Sequence, residues 1–456
     1  MSDVRSEFIR AACVTPDDWH GSGTLERAEA MLAAHPALAD SDIHVASILG
    51  DDAKVRSFVE RDPGCVTTKD GPHQWDALTH LCFSRYLRLD PSKSEGFVRS
   101  AKVLLDAGAS ANTGWFEPNH QPGPEWEPVL YGAAGVAHHA ALTRLLLERG
   151  AEANDEEVVY HTPETYDNGA LKALVESGKL TADSMAMMLL RKADWHDYEG
   201  IKYLLEHGAD PNRHTRWGKT AFHNAVLSDN WIGILELMLD NGADPTLVAT
   251  HPDRPGREVP GRTGVAMAAR RGRRDLLELL EKRGFPFELA GLDRLLAACA
   301  KGDPAAVRAI AERDPELVRE LQSEGGKTLA EFAGVGNADG VRLLLDLGVP
   351  VSAPFAAQDG YWDITPESTA LHVAAWRARH DTVKLLLERG APVNARDGKG
   401  RTPLSLAVKA CVDSYWTEHR SPVSVRALLA AGASVDGVRF PSGYHEVDEL
   451  LRPHVA

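Results

Sequence analysis

The side chains best suited to recognition chemistry are large aromatic residues in connecting segments of the chain. They are densest between residues 112 and 168 and recur further along the sequence: Trp115, Phe116, Trp126, Tyr160, Tyr166, Trp217, Tyr361 and Trp362. Aromatic rings supply stacking and cation–π contacts and are enriched at binding hot spots. We expect them, together with His120 and His161, to bind a ligand or a partner. The alternative is that they form small cores within their own loops.

Acidic residues accompany the first aromatic group. Residues 152–167 contain six acids and no lysine or arginine, and Glu156, Glu157 and Asp167 border the rings. Negative charge beside aromatic faces favours a cationic group. Residues 254–274 are rich in arginine instead, so the two runs predict a bipolar surface that orients a partner. The alternative is that each run is an ordinary solvated face.

Histidine is abundant, but its spacing does not indicate a metal site. No arrangement of His, Asp and Glu resembles a ligand set, and the five cysteines include no Cys-x-x-Cys pair. We therefore expect neither a bound metal nor a cofactor. If a transition metal were present, the first candidate ligands would be His120, His161, His214, His223 and His251.

Familiar catalytic signatures are missing from the sequence. It contains no Gly-x-Gly-x-x-Gly, phosphate-binding loop, Gly-x-Ser-x-Gly or His-Glu-x-x-His motif.

The net charge of −16 disfavours nucleic acid as a partner, because phosphate contacts need a basic surface. Residues 1–10 lack the apolar segment of a signal peptide, and no apolar run reaches membrane-spanning length. We expect a cytoplasmic protein, and the excess of arginine over lysine indicates a bacterial source.

The elements that must position these residues recur along the chain, most clearly in residues 368–404. Thr369 is suited to cap a short helix, a second helix carries Leu385, Leu386 and Leu387, and Gly390 supplies a left-handed end. The cycle restarts at Thr402-Pro403, because proline is tolerated at the first helical position. Related endings occur at Gly108, Gly150, Gly208, Gly242, Gly284, Gly348 and Gly432.

This pattern, with Thr-Ala-Leu-His-Val-Ala at residues 369–374, resembles the ankyrin repeat, a β-turn followed by two helices over about 33 residues. The resemblance implies an all-α ankyrin-repeat solenoid of about ten to twelve helix-turn-helix units with short hairpin fingers, several of them elongated. It also implies structural hydrogen bonds for His223 and His372 and a helix-starting position for His139.

The repeat pattern predicts three segments. Residues 1–40 are expected to form a helical N-terminal cap, residues 41–290 a first array, and residues 291–456 a second array with a C-terminal cap. The division follows from two Glu-Arg-Asp-Pro endings, at Asp62-Pro63 and Asp314-Pro315, that replace the usual glycine. One continuous solenoid with two imperfect units is the alternative.

The resemblance implies a non-catalytic protein-binding scaffold or adaptor, which we expect to be monomeric and to act through its concave finger face. The alternative is a small-molecule-binding protein or an atypical enzyme with a pocket built from elongated fingers. Fingers 112–127 and 154–168 are adjacent, so we place the site there. Replacing Trp115 and Trp126 together is then expected to remove binding and leave stability unchanged.

Overall fold

The chain is divided by its backbone contacts into two compact units, Met1–Arg213 and His214–Ala456. A computed structural model describes residues 2–14, 21–120, 123–250, 261–285, 288–414 and 416–455. Both units consist mainly of α-helices, and each is described here by itself.

The first unit contains thirteen helices and one two-stranded hairpin among its described residues. In chain order they are α1 (Ser2–Ala12), α2 (Glu26–Ala34), α3 (Ile43–Ile48), α4 (Asp52–Arg61), α5 (Ala77–Cys82), α6 (Arg85–Leu89), α7 (Ser94–Asp106), β1 (Gly114–Glu117), β2 (Glu125–Pro128), α8 (Val129–Tyr131), α9 (Ala140–Glu148), α10 (Glu156–His161), α11 (Gly169–Glu176), α12 (Ala182–Asp194) and α13 (Tyr198–Glu206). Shorter 3₁₀ segments lie at Pro36–Asp40, Pro63–Val66 and Pro91–Lys93, and α8 continues as a π-helical segment, Gly132–Val136.

The helices of the first unit stack in two layers. In one layer α3 packs on α5 and α10 packs on α12, while in the other α4 packs on α7 and α7 on α9. Leu142 and Leu146, one turn apart on α9, are fully buried, as an amphipathic helix requires. Gly150 follows α9 with φ +89°, a conformation that a side chain disfavours. The predicted helix-turn-helix repeats are therefore confirmed.

The long connection between α7 and α8 forms an antiparallel hairpin. Strands β1 and β2 pair Trp115 with Glu127 and Phe116 with Trp126. Because successive strand residues point to opposite faces, Trp115 and Glu127 share one face, while Phe116 and Trp126 share the other. The π-helical segment that follows is packed tightly against α10, since an added Cβ at Gly135 would lie 2.9 Å from the Cβ of His161.

The second unit contains thirteen α-helices and one short strand pair among its described residues. They are α14 (Ala221–Leu227), α15 (Ile232–Asp240), α16 (Gly264–Arg270), α17 (Arg274–Lys282), α18 (Gly291–Lys301), α19 (Pro304–Arg313), α20 (Pro315–Val335), α21 (Ala338–Asp346), β3 (Pro354–Phe355), β4 (Ser368–Thr369), α22 (Ala370–Trp376), α23 (His380–Glu388), α24 (Pro403–Asp413), α25 (Val423–Ala430) and α26 (His445–Leu451). Two 3₁₀ segments lie at Thr417–His419 and Arg452–His454.

The histidines assigned to the repeat pattern hold neighbouring turns together. In the second unit, His372 Nδ1 accepts a hydrogen bond from the Thr369 backbone N–H at 3.1 Å, and its Nε2 donates to the Ala395 carbonyl at 3.0 Å. His223 makes the same pair of bonds, to the Thr220 N–H and the Leu247 carbonyl. In the first unit, His139 caps α9 by accepting from the Leu142 N–H. The expected structural roles of these histidines are confirmed by their hydrogen bonds.

A buried carboxylate links three inter-helix turns of the second unit. Asp229 follows α14, and its two carboxylate oxygens accept from Arg271 at 2.6 and 2.5 Å and from Arg377 at 2.7 Å. The three side chains are at most 6% exposed. Arg377 also lies over the Trp362 ring, 3.8 Å from its centroid. The ion pairs therefore join residues far apart in the sequence.

The junction at Asp314-Pro315 has no finger, because Asp314 ends α19 and the proline begins α20 directly. The predicted array boundary near residue 290 differs from the division between the compact units, and α16 packs on α18 across it. That boundary stays a prediction about folding.

Urea unfolding of the full chain and of the pieces 1–290 and 291–456 tests that boundary. Since a repeat array is as cooperative as its weakest junction, separate arrays are expected to give two transitions, with piece 291–456 folded alone. A single sharp transition with both pieces unfolded would contradict two independent arrays.

Candidate functional site

The hairpin β1–β2 presents two aromatic side chains outward. Phe116 is 57% exposed and Trp126 is 39% exposed, and they lie directly opposite each other in the strand register. Directly opposed residues of an antiparallel pair bring their side chains within contact range. The hairpin therefore carries a paired aromatic surface, which contains two of the predicted binding residues.

Trp115 lies on the other face of the hairpin and belongs to the interior. It is only 8% exposed, and its ring centroid lies 5.4 Å from that of Trp75 and 5.8 Å from that of Phe83. Strand alternation turns Trp115 inward whenever Phe116 points outward. This burial contradicts the expectation that Trp115 offers an exposed stacking surface, and it predicts that removing the ring lowers stability.

The remaining predicted aromatics of the first unit are divided between surface and interior contacts. Tyr166 is 68% exposed and meets Trp195 edge-on, with the ring centroids 5.8 Å apart. Tyr160 is half-buried, and the guanidinium carbon of Arg191 lies 4.1 Å from its ring centroid. Tyr166 is therefore largely exposed, whereas one face of the Tyr160 ring is covered by Arg191.

The predicted aromatics of the second unit are mainly packing residues. Trp362 is 6% exposed and lies in a core cluster with Phe355 and Ile364, against which the half-buried Tyr361 packs. Trp217 is half-buried beside Arg216, 5.5 Å from ring centroid to guanidinium carbon. The expected recognition role for Trp362 is therefore corrected, because this elongated finger folds over its own aromatic core.

Beneath the aromatic pair, three polar side chains converge. One ligand atom each from His120, Glu127 and Glu157 lies within 4.8 Å of the other two. His120 comes from the hairpin loop, Glu127 from β2 and Glu157 from the first turn of α10. The carboxylates of Glu127 and Glu157 are both buried. Three segments that are separate in the sequence thus build one polar centre.

A chain of charged contacts fixes Glu157 from behind. His161 Nε2 lies 3.1 Å from Glu157 Oε2, and His161 Nδ1 lies 3.0 Å from Glu164 Oε2. Glu164 in turn pairs with Arg191, which also pairs with Asp194. Because both nitrogens of His161 face carboxylates, the ring favours its protonated form. Burial opposes that form, but the hydrogen bonds to Glu157 and Glu164 prevail and raise the pKa of His161.

Burial and neighbouring acids disfavour the ionised form of the Glu127 carboxyl group. Desolvation, followed by the charges of Glu157 and Glu117, raises the pKa of Glu127 to about 9. Burial likewise raises the pKa of Asp155, which caps α10, to about 6. The centre therefore contains more carboxylate groups than its own cations neutralise, so it favours a proton or a cation.

Sequence reasoning placed His120, His161 and Glu157 in this region but overlooked Glu127. The signal was the alternation in residues 125–128, which assigns Glu127 to the face opposite Trp126 once the segment is read as a strand. His214 and His223 belong to the second unit, where they bond the carbonyls of Val248 and Leu247. His251 and residues 254–260 of the arginine-rich run lie outside the described residues.

Ankyrin repeats are identified in two segments by family models. Residues 265–397 match a model described as ankyrin repeats (3 copies), and residues 186–239 match one described as ankyrin repeats (many copies). The chain therefore contains ankyrin repeats, and its fold is an all-α array of the ankyrin-repeat class. None of its described helices is long and apolar enough to cross a membrane.

Individual relatives match only short parts of the chain. Over 85 residues, 19% of this chain and 17% of the relative, it is 38% identical to Serine/threonine-protein kinase 12 of Arabidopsis thaliana. Over 94 residues, 21% of this chain and 16% of the relative, it is 36% identical to the probable E3 ubiquitin-protein ligase XBOS33 of Oryza sativa subsp. japonica. The chain thus spans less than a fifth of the length of these curated relatives.

Among solved structures, the human ASB11 ankyrin repeat domain is 19% identical, with a TM-score of 0.25 and coverage of 59% of this chain and 97% of that domain. The named curated relatives are plant proteins, so they give no support to the bacterial source indicated by the arginine content.

Proposed function

We propose that this protein is a non-catalytic scaffold or adaptor that binds a protein partner through the hairpin β1–β2. Ankyrin repeats generally serve protein–protein interaction, and the single observation behind this assignment is the exposed pair Phe116 and Trp126. Two adjacent exposed rings are costly to leave in water and supply the apolar centre that interface hot spots need. We further propose a cytoplasmic, monomeric protein.

The charge around this pair defines the preferred partner. Glu117 and Glu125 lie opposite each other at the loop end of the hairpin, and Glu156 and Asp167 are exposed on the next segment. Glu117 and Glu125 lie on the hairpin face opposite Phe116 and Trp126, so these acids make the hairpin region as a whole negative. A partner segment with arginine or lysine beside an apolar residue therefore fits best. Rim charges of this kind accelerate association, and that effect weakens with salt.

Peptide selection from a random display library against the full chain tests the proposal. Peptides that combine basic and apolar residues are expected, and the double variant Phe116→Ser, Trp126→Ser is expected to bind them at least tenfold more weakly, because truncated hot-spot rings lose their buried contact. Fluorescence anisotropy of the selected peptides measures the change.

Trp231→Ser supplies the matched control, since Trp231 is also exposed, at 55%, but belongs to the second unit. The control is expected to bind the peptides like the unaltered chain. Peptides that bind the hairpin variant normally and fail to bind the Trp231 variant would contradict the proposed surface.

A further inference from the structure

The polar centre beneath the hairpin has the properties of a metal site. We propose that His120, Glu127 and Glu157 bind one divalent transition-metal ion, with Zn²⁺ as the best-fitting ion. This goes beyond a protein-binding role and replaces the sequence-based expectation that no metal is bound. All three residues belong to the first unit.

The distances fit a shared ion. A tetrahedral Zn²⁺ with bonds of about 2.0–2.2 Å sets its ligand atoms about 3.3–3.6 Å apart. His120 Nε2 already lies 3.6 Å from Glu157 Oε1, and the three ligand atoms all lie within 4.8 Å of one another. Side-chain adjustments of about an ångström therefore complete the coordination without backbone movement.

The buried carboxylate of Glu127 independently favours a cation ligand. This side chain is only 2% exposed, and its Oε2 atom has no hydrogen-bond partner. A buried carboxylate oxygen without a donor is costly, and the cost rises because Glu157 places a second carboxylate beside it. A cation between the two carboxylates removes both penalties at once.

His120 is held in the tautomer that a metal needs. Its Nδ1 lies 3.2 Å from the Gly123 carbonyl, which only accepts hydrogen bonds, so Nδ1 carries the proton. The other ring nitrogen, Nε2, faces Glu157 and is the atom that would bind the metal. Metal-binding histidines commonly donate their other N–H to a backbone carbonyl in this way.

The ligand Glu157 is itself oriented by an outer partner. Its Oε2 atom meets His161 Nε2 at 3.1 Å, which leaves Oε1 directed toward His120. Such outer contacts fix ligating carboxylates and typically change metal affinity 10–100-fold. His161 is thus a positioning residue, because both of its nitrogens are occupied by carboxylates.

The donor set selects the class of ion. One imidazole nitrogen with two carboxylate oxygens suits Zn²⁺ and neighbouring first-row ions, whereas Mg²⁺ and Ca²⁺ prefer six or more oxygens. Three protein ligands leave one tetrahedral position for water or for an outside carboxylate. The competing occupant is a proton, shared between Glu127 and its acidic neighbours.

Metal titration of the untagged full chain, after chelator treatment, shows whether a metal ion or a proton occupies the centre. We expect one Zn²⁺ per chain by competition with a chromophoric chelator, with Mg²⁺ bound at least 100-fold more weakly. Glu127→Gln and His120→Ala are each expected to weaken Zn²⁺ binding about 100-fold or more. Loss of a residue that only orients a ligand weakens binding less, by about 10–100-fold. Zn²⁺ should raise the melting temperature of the unaltered chain and leave that of both variants unchanged.

Two control variants test whether Zn²⁺ binding depends on the three proposed ligands and not on exposed acids or histidines in general. Glu156→Gln removes an exposed acid next to Glu157, and His445→Ala removes an exposed histidine 3.3 Å from Glu449 in the second unit. Both are expected to bind Zn²⁺ like the unaltered chain. Failure of the unaltered chain to bind, equal binding by Glu127→Gln, or equal affinity for Mg²⁺ would each overturn the proposal and assign the centre to a shared proton or an unselective acidic surface.

Discussion

Replacing Asp229 by asparagine is expected to lower the free energy of unfolding by about 3–5 kcal/mol, the range found when a buried ion pair loses one partner. The change keeps the volume of the side chain and its tolerance of the left-handed backbone, since Asp229 has φ +51°. It leaves Arg271 and Arg377 buried without their shared carboxylate. Urea denaturation followed by circular dichroism measures the loss.

The control is Asp339→Asn, which removes a half-exposed acid that pairs with Arg274 and Arg342 at the surface. Surface pairs contribute about 0–1 kcal/mol, so this variant is expected to stay close to the unaltered chain. Equal losses of unfolding free energy for the two variants would show that the buried ion pairs of Asp229 stabilise the fold no more than a surface pair does.

The effect of Asp229 is also expected to depend on pH. Burial alone would raise the pKa of this carboxyl, but the charges of Arg271 and Arg377 hold it well below its usual value. A carboxyl with a depressed folded-state pKa stabilises the fold above the unfolded-state pKa of about 3.9 and loses that contribution as pH falls further. The difference between the unaltered chain and Asp229→Asn should therefore be full at neutral pH and shrink below about pH 4.

Replacing Trp115 by alanine is expected to cost about 3–5 kcal/mol, as buried large aromatics do when truncated. The ring contacts Trp75 and Phe83 beneath the hairpin, so its loss opens a cavity at the base of β1. Thermal and urea unfolding, together with the near-ultraviolet signal of the aromatic cluster, report the change.

Trp126→Ala is the matched control, because the same residue type lies one pair further along the same hairpin with 39% exposure. This exposed position is expected to cost under about 1 kcal/mol. A loss below about 1 kcal/mol for Trp115→Ala would contradict its assignment to the core and restore it to the binding surface.

The two tryptophans show where sequence reasoning reached its limit. Their residue type and finger location are the same, and density of aromatics alone assigned both to recognition. Strand register separates them, since Trp115 pairs with the buried Glu127 and Trp126 with the exposed Phe116. Register depends on where the hairpin turns, and the dipeptides Pro122-Gly123 and Gly123-Pro124 mark a turn without fixing which residues pair across it.

The sequence by itself determined the repeated helix pairs, because their signals are local. The Thr369 cap with His372, the left-handed Gly390 and the leucine-rich second helix each act within a few residues, and all are observed. Only the tertiary structure decided which distant groups meet. His120, Glu127 and Glu157 come together in one unit, and Asp229, Arg271 and Arg377 in the other, because stacking of helix pairs brings together turns that no sequence spacing relates.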